Sequence, residues 1–393
     1  MKSICFICAR YPTAITPTNH VFVQKLVWGM ADQGVECSVI SPVAINLNYK
    51  LASLPKVTEE RTPSGAKVKL YFPRYISLGQ KDIFGWNTIR LTTAFFYRIV
   101  EKQLHEFVEM PDAVYGHFLA PAGITAAKIG RKFGIPAFAA YGESTPWSIK
   151  RYGIDNVKKE LENLDGIVSV STNNKNTLLE LNIFSEEKIK VFPNAVDNNH
   201  FYPRDKIQAR RKYGFPIDAF IVAFVGQFSQ RKGVLRVAEA LKDLNNVYVI
   251  YAGKGEQSPN SQNSLYCGLV KPEEVPEFLS AADAFLLPTL NEGCCNAIIE
   301  AMACGLPVIS SNLPFNYDIL DKGSATLIDP ENISEIRNAV IELRDNPVLR
   351  EKYSSASFEK AGLLSQKNRS YSIWKWMEQL IDRREALERR DNI

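Results

Sequence analysis

The sequence contains no apolar run of about 18 residues, the length a membrane-crossing helix requires. Its first residues are not expected to act as a signal peptide. Lys2 precedes a short apolar run, but charged and polar residues follow without a small-residue cleavage site. There is no disulfide framework either. The seven cysteines are odd in number and scattered, and Cys294 and Cys295 are adjacent, which fits a reducing compartment better. The net charge is only +4, without the concentrated basic stripe of a nucleic-acid binder. The small basic excess lies in the first half, which is compatible with an anionic ligand or a peripheral contact with anionic lipid. Finally, the loop after the first apolar run, ARYPTAITPTNH, lacks the G-x-G-x-x-G of a nicotinamide oxidoreductase.

What is present is the material for two ordinary globular domains: 393 residues, 46% hydrophobic and 23% charged. Short apolar runs alternate with helix-length amphipathic segments. SICFICA, ECSVISP, VKLYFP, AVYGHF, AFAAY and GIVSVS read as strands of the first half. FIVAFVG, VYVIYAG, LYCGLV, AFLLPT, PVISS and TLIDP read as strands of the second. Continuous apolar strands separated by helices imply parallel sheets buried on both faces. Cys5 and Cys8 fall within the first such strand, where odd spacing sends the two thiols to opposite faces, so this Cys-x-x-Cys reads as core.

The fold class is therefore α/β, with two Rossmann-like doubly wound domains facing across a ligand cleft. The stretch VFPNAVDNNHFYPRDKIQARRKYGFPIDAF, rich in Asn, Asp, Pro and charge, carries the junction. It divides the chain into residues 1–198 and 199–369. A charged helix over 370–393 is expected to return to the first domain, with Trp374, Met377, Leu380 and Ile381 as its apolar stripe.

Two segments carry chemistry. In FLLPTLNEGCCNAIIEAMACGLPVISS, residues 285–311, a strand ends at Pro288, a turn holds Glu292 and Gly293, and a helix begins near Cys295 and Asn296. The free amides of that helix start suit an anionic ligand. Gly293 lets a ligand approach the backbone. Glu292 can accept sugar hydroxyls and Glu300 both hydroxyls of a ribose; equally, both can serve only as a dipole partner and a solvated helix residue. In FVGQFSQRKGVLRVAEAL, residues 224–241, a strand ends at Gly226 and a helix starts after Gly233, which leaves Arg231 and Lys232 in a polar loop.

The first segment resembles the donor-site signature of retaining GT-B glycosyltransferases of family 4, the bacterial group 1 type. Glu292, Gly293, Asn296, Glu300, Ala301, Met302, Ala303, Gly305, Pro307 and Val308 occupy its motif positions. VFPNAVDNNHF resembles the family's linker, with Ala195 where glycine is usual. YCGLVKPEEVPEFLSAADAFLLP resembles its nucleotide-base segment.

The resemblance implies a hexosyltransferase that uses a nucleotide-diphosphate sugar, a UDP-sugar or GDP-mannose, and a glycan or lipid-linked acceptor. Such an enzyme would work in the cytoplasm, at the inner face of the plasma membrane, in surface-polysaccharide synthesis. Glu292 would contact the transferred sugar, and Arg231 and Lys232 the diphosphate. Gly226, Gly293, Cys294, Cys295 and Asn296 would line the donor site, Glu300 would hold the ribose, and Gly268 and Val270 would lie near the base. Acceptor-side candidates are Asn19, His117 and Glu143. His117 is also readable as a structural strand-end residue. Glu143 stands where many members carry a histidine, and is also readable as a helix cap.

No Asp-x-Asp pair occurs, so no metal cofactor is expected; the basic pair and helix amides would take the cation's place. Two rivals are a nucleotide-sugar epimerase and a non-catalytic subunit that only binds a nucleotide sugar. The four charged residues Arg231, Lys232, Glu292 and Glu300, kept together, argue against the second.

Overall fold

The computed structural model describes residues 2–83, 86–259 and 261–391. It divides into two compact units, Met1–Phe192 with Lys367–Ile393, and Pro193–Gln366. Both divisions fall a few residues earlier than the expected 198/199 and 369/370. The linker lies with the second unit because it is tied there: Val196 bridges to Ser365, and Gln366 Nε2 donates to Ala195 O at 2.8 Å.

The first unit is built on an eight-stranded sheet. Its spatial order is Ile189–Val191, Gly166–Ser169, Ala137–Tyr141, Ala113–His117, Ser3–Cys8, Glu36–Ile40, Lys67–Tyr71 and Val57–Arg61. All neighbours are parallel except the last pair. The sheet is buried on both faces, and the alternation of the first strand shows how. Ile4, Phe6 and Cys8 enter one core while Cys5 and Ile7 enter the other. The two thiols of the Cys-x-x-Cys thus point apart and are free.

The second unit holds a six-stranded, fully parallel sheet. The order is Ser264–Gly268, Val247–Ala252, Phe220–Val225, Ala284–Leu287, Val308–Ser311 and Ala325–Ile328. In each sheet the chain first builds outward on one side and then crosses to the other. The reversal lies between Ser3–Cys8 and Ala113–His117 in the first unit, and between Phe220–Val225 and Ala284–Leu287 in the second. Loops at the carboxyl ends of such strand pairs form the ligand crevice of doubly wound sheets.

The helix Gln366–Asp391 belongs to the first unit from Lys367 onward. Ile373, Trp374, Trp376, Met377 and Ile381 are buried in the same core as Ile4 and Phe6, with Leu380 half-buried beside them. Trp376 packs on Phe192 and Phe138 at 5.7 and 6.1 Å between ring centroids. A Cβ on Gly166 would stand 2.6 Å from the Trp376 ring, so the strand accepts this helix only with glycine there.

Candidate active site

Within the second unit, the two segments singled out in the sequence follow the two strands at the reversal. Strand Phe220–Val225 runs into a polar loop, and helix Val234–Leu241 starts at Gly233, which has φ +80°. Strand Ala284–Leu287 runs into the acidic turn, and helix Asn296–Ala303 follows. Adjacent strands bring the loop and the turn side by side, and several bonds fasten them. Leu290 N donates to Arg231 O at 2.8 Å, and Arg231 Nη1 donates to Asn291 O at 2.6 Å. Arg236, in the first turn of its helix, spans the joint, donating to Gln230 O at 2.8 Å and Pro288 O at 2.7 Å. Gly233 is required twice over: its backbone is left-handed, and a Cβ would meet Pro288 O at 2.7 Å.

Glu292 sits at the centre of this joint and is 8% exposed. Its Oε1 accepts hydrogen bonds from Arg231 Nη1 at 2.7 Å and Thr289 Oγ1 at 2.8 Å, and forms an ion pair with Lys232 Nζ at 2.7 Å. Lys232 is itself 9% exposed, with Cys295 Sγ 3.7 Å from its Nζ. Burial raises the Cys295 thiol, against the pull of the Lys232 charge, so the thiol stays neutral. Two cations therefore face one carboxylate. The cluster carries one unit of positive charge, with Glu292 and Lys232 buried and Arg231 partly exposed, and an anion interacts with it more strongly than in bulk water.

The flanking backbone is packed closely enough to need glycine elsewhere. A Cβ on Gly253 would stand 1.9 Å from Gly226 O, which places the end of strand Val247–Ala252 against the basic loop. Gly253 N donates in turn to Gly268 O at 2.7 Å, so Gly226, Gly253 and Gly268 lie across three neighbouring strand ends. Val270 is half-buried against the core just beyond. At the helix start, Asn194 donates from Nδ2 to Cys294 O at 3.1 Å and Asn296 Oδ1 at 2.9 Å, and its N–H points to Cys294 Sγ. Gly293 lies in the turn between Glu292 and this tie. Glu300 is half-buried one turn further along, and its charge adds to the burial that pushes the Cys304 thiol up to about 12.

The structure thus gathers Arg231, Lys232, Glu292 and the start of the Asn296–Ala303 helix in one place. Three contributors escaped the sequence reading: Thr289, Arg236 and Asn194. Arg236 carries a helical-spacing signal only in hindsight, four residues beyond Lys232. Asn194 is a hundred positions from its partners and leaves no local signal.

The acceptor-side candidates all belong to the first unit. His117 ends its strand at the reversal and is buried among Phe22, Phe118 and Tyr115. Burial, with the charges of Arg369 and His20, pushes its imidazole down to about 3, so it is neutral at physiological pH. Its Nδ1 has no hydrogen-bond partner among the described residues. Asn19 lines a cavity of about 570 Å³ together with Arg10, Tyr11, Asn48, Leu51 and Tyr75. Glu143 acts as a helix cap: its Oε2 accepts the N–H of Ser148 at 3.0 Å, and burial raises its carboxyl.

Among the described residues, no helix is long and apolar enough to cross a membrane, and no three His, Cys, Asp or Glu side chains gather as metal ligands.

Comparison with known proteins finds matches to both units. The family model "Glycosyltransferase Family 4" matches residues 20–200, and "Glycosyl transferases group 1" matches residues 205–360. A putative teichuronic acid biosynthesis glycosyltransferase of Bacillus subtilis is 22% identical over 369 residues, 91% of this chain and 92% of that protein. The Escherichia coli UDP-Gal:alpha-D-GlcNAc-diphosphoundecaprenol alpha-1,3-galactosyltransferase is 27% identical over 64% of this chain and 70% of its own. Among solved structures, sucrose-phosphate synthase from Thermosynechococcus elongatus superposes with a TM-score of 0.75 at 17% identity, covering 97% of this chain and 100% of that one. Anabaena HepE in complex with UDP superposes with a TM-score of 0.72 at 15% identity, covering 96% and 100%.

Proposed function

Because this chain belongs to the family 4, group 1 glycosyltransferases and carries their GT-B fold, we propose that it transfers a hexose-type sugar from a UDP-sugar or GDP-mannose, with retention of configuration, to a glycan or lipid-linked acceptor of bacterial surface polysaccharide. One observation supports this above the others: Arg231 and Lys232 converge on Glu292 at the strand reversal of the second unit.

The donor's diphosphate lies against Arg231, Lys232 and the first amides of the Asn296–Ala303 helix, over Gly293, Cys294 and Cys295. As the bond from the anomeric carbon to the phosphate oxygen breaks, charge builds on the leaving diphosphate. Cations already in place stabilise it without reorganisation. Glu292 accepts a hydroxyl of the transferred sugar, Glu300 holds the ribose, and the backbone around Gly268 and Val270 meets the base. The acceptor occupies the first unit near Asn19 and His117, with Glu143 shaping the adjoining helix start. Its hydroxyl oxygen bonds to the anomeric carbon from the face the diphosphate leaves, and its proton passes to a donor phosphate oxygen.

The relatives named above support the polysaccharide setting. The Escherichia coli relative's name includes a diphosphoundecaprenol acceptor, and the Anabaena neighbour holds UDP. Work at the inner face of the plasma membrane follows from a lipid-linked acceptor, and the basic excess of the first half suits that surface. The two cations also make a divalent metal dispensable, so EDTA leaves the rate unchanged; a rate restored only by added magnesium or manganese would remove this part of the reading.

The central test is a thermal-shift screen against UDP, GDP, ADP and their sugars, followed by nucleotide release with the binding donor. A ligand that prefers the native state raises its melting temperature. We expect one nucleotide series to bind and acceptor-stimulated release to require Glu292. Sugar conversion without nucleotide release would instead identify an epimerase, and binding without turnover a non-catalytic subunit.

A further inference from the structure

The contacts of Glu292 are one-sided. Arg231 and Thr289 donate to Oε1 and Lys232 forms an ion pair with the same oxygen, whereas Oε2 makes no hydrogen bond within the described residues. The three partners also differ in what a bound diphosphate does to them. Arg231 and Lys232 are the groups a diphosphate draws upon, and each hydrogen bond given to phosphate weakens the hold on Glu292. Thr289 is a neutral donor, 0% exposed, and no ligand reaches it.

Thr289 is also rigidly placed. It follows Pro288 at the strand end, its N–H donates to Leu287 O at 3.0 Å, and its carbonyl accepts Ser311 Oγ at 2.5 Å from the neighbouring strand. Its hydroxyl is thus anchored on the sheet rather than on the loop that carries the cations.

We propose that Thr289 is a positioning residue: by holding Oε1 of Glu292 when Arg231 and Lys232 turn to the diphosphate, it keeps Oε2 available to a hydroxyl of the donor sugar. The inference rests on the donor-site reading above and adds the group that makes sugar recognition survive diphosphate binding. Without it, Glu292 follows the two cations toward the phosphates, and the sugar loses its acceptor at the moment it is needed.

The experiment separates sugar recognition from nucleotide recognition. Affinities of UDP and UDP-glucose, and of GDP and GDP-mannose, are measured by calorimetry for the full chain, and the pair bound more tightly is used. The readout is the ratio of the two dissociation constants within that pair, which isolates the contribution of the sugar. Thr289→Val, which keeps the shape and removes the hydroxyl, is expected to reduce the sugar's contribution roughly tenfold, the scale of one hydrogen bond to a charged group. Binding of the bare nucleoside diphosphate should stay within about twofold, which also shows that the variant is folded. Thr289→Ser should restore the ratio, and Thr289→Val should add nothing in a Glu292→Gln background.

Equal losses for the nucleotide and its sugar, or an unchanged ratio in Thr289→Val while Glu292→Gln lowers it, would overturn the role of Thr289. An unchanged ratio in Glu292→Gln itself would instead overturn the donor-site reading.

Discussion

At the scale of single residues, the deciding group is Glu292, one carboxylate compensating two buried or half-buried cations. Removing its charge leaves Lys232 and Arg231 short of a counter-ion, a change that is costly in a protein interior. Glu292→Gln should therefore do two opposite things. Transfer should fall roughly 100- to 1000-fold, as when one preorganised group is lost from a transition-state site. The bare nucleoside diphosphate should bind more tightly, since it no longer competes with an internal anion; weaker binding would mean that the cations do not face the phosphates.

His117 supplies a pH prediction of a different kind. Its folded pKa, about 3, lies below the ordinary 6.5, so below pH 6.5 the unfolded chain takes up a proton that the folded chain refuses. Its contribution is constant above that value, and stability is lost as pH falls from about 6.5 toward 3, by at most about 1.4 kcal/mol per pH unit. Urea denaturation at pH 7 and pH 5 should show this loss, and His117→Phe should shrink it. Some slope remains, because burial and the Arg10 charge also lower His20.

At the scale of elements, the joint between the basic loop and the acidic turn depends on helix Val234–Leu241 starting where it does. Gly233→Ala adds a Cβ at a left-handed position facing Pro288 O, so the helix start or the turn must shift. A loss of about 1 kcal/mol or more is expected, with a fall in turnover larger than stability alone explains; a variant with normal kinetics would mean that the joint tolerates displacement.

What the sequence disclosed follows element character. The apolar strands were legible because they are buried on both faces, and the glutamate and basic pair because each stands in a short signature. Strand Val57–Arg61 went unseen: an edge strand rich in charge, it alternates exposed and half-buried residues. Helix Pro347–Leu363 also escaped, since it buries only Ser357 and Ala361 completely. In the site, Thr289, Arg236 and Asn194 act across the sheet, and their partners are set by strand order. No local pattern encodes that order; it emerges when the chain crosses from one side of Phe220–Val225 to the other.

At the scale of the molecule, the first unit is made of two separated stretches of chain. Trp376→Ala should destabilise that unit by about 3–5 kcal/mol, the range for a large buried aromatic. Truncation after Gln366 should go further, removing Ile373, Trp374, Met377 and Ile381 from the core together. Under the proposed division of labour, the truncated chain keeps its nucleotide-induced thermal shift and loses acceptor-dependent transfer; loss of both would show that the second unit does not bind its ligand alone.

That discontinuity reaches back to the ribosome. Residues through Phe192 emerge early, but the helix that seals one face of their sheet is made only after Pro193–Gln366 has been synthesised. At ordinary translation speeds the wait is on the order of 10–30 s. During it the nascent first unit presents bare aliphatic and aromatic surface to its surroundings. Its yield in a cell should then respond to chaperone supply more steeply than that of the second unit, whose every strand and helix is encoded without interruption.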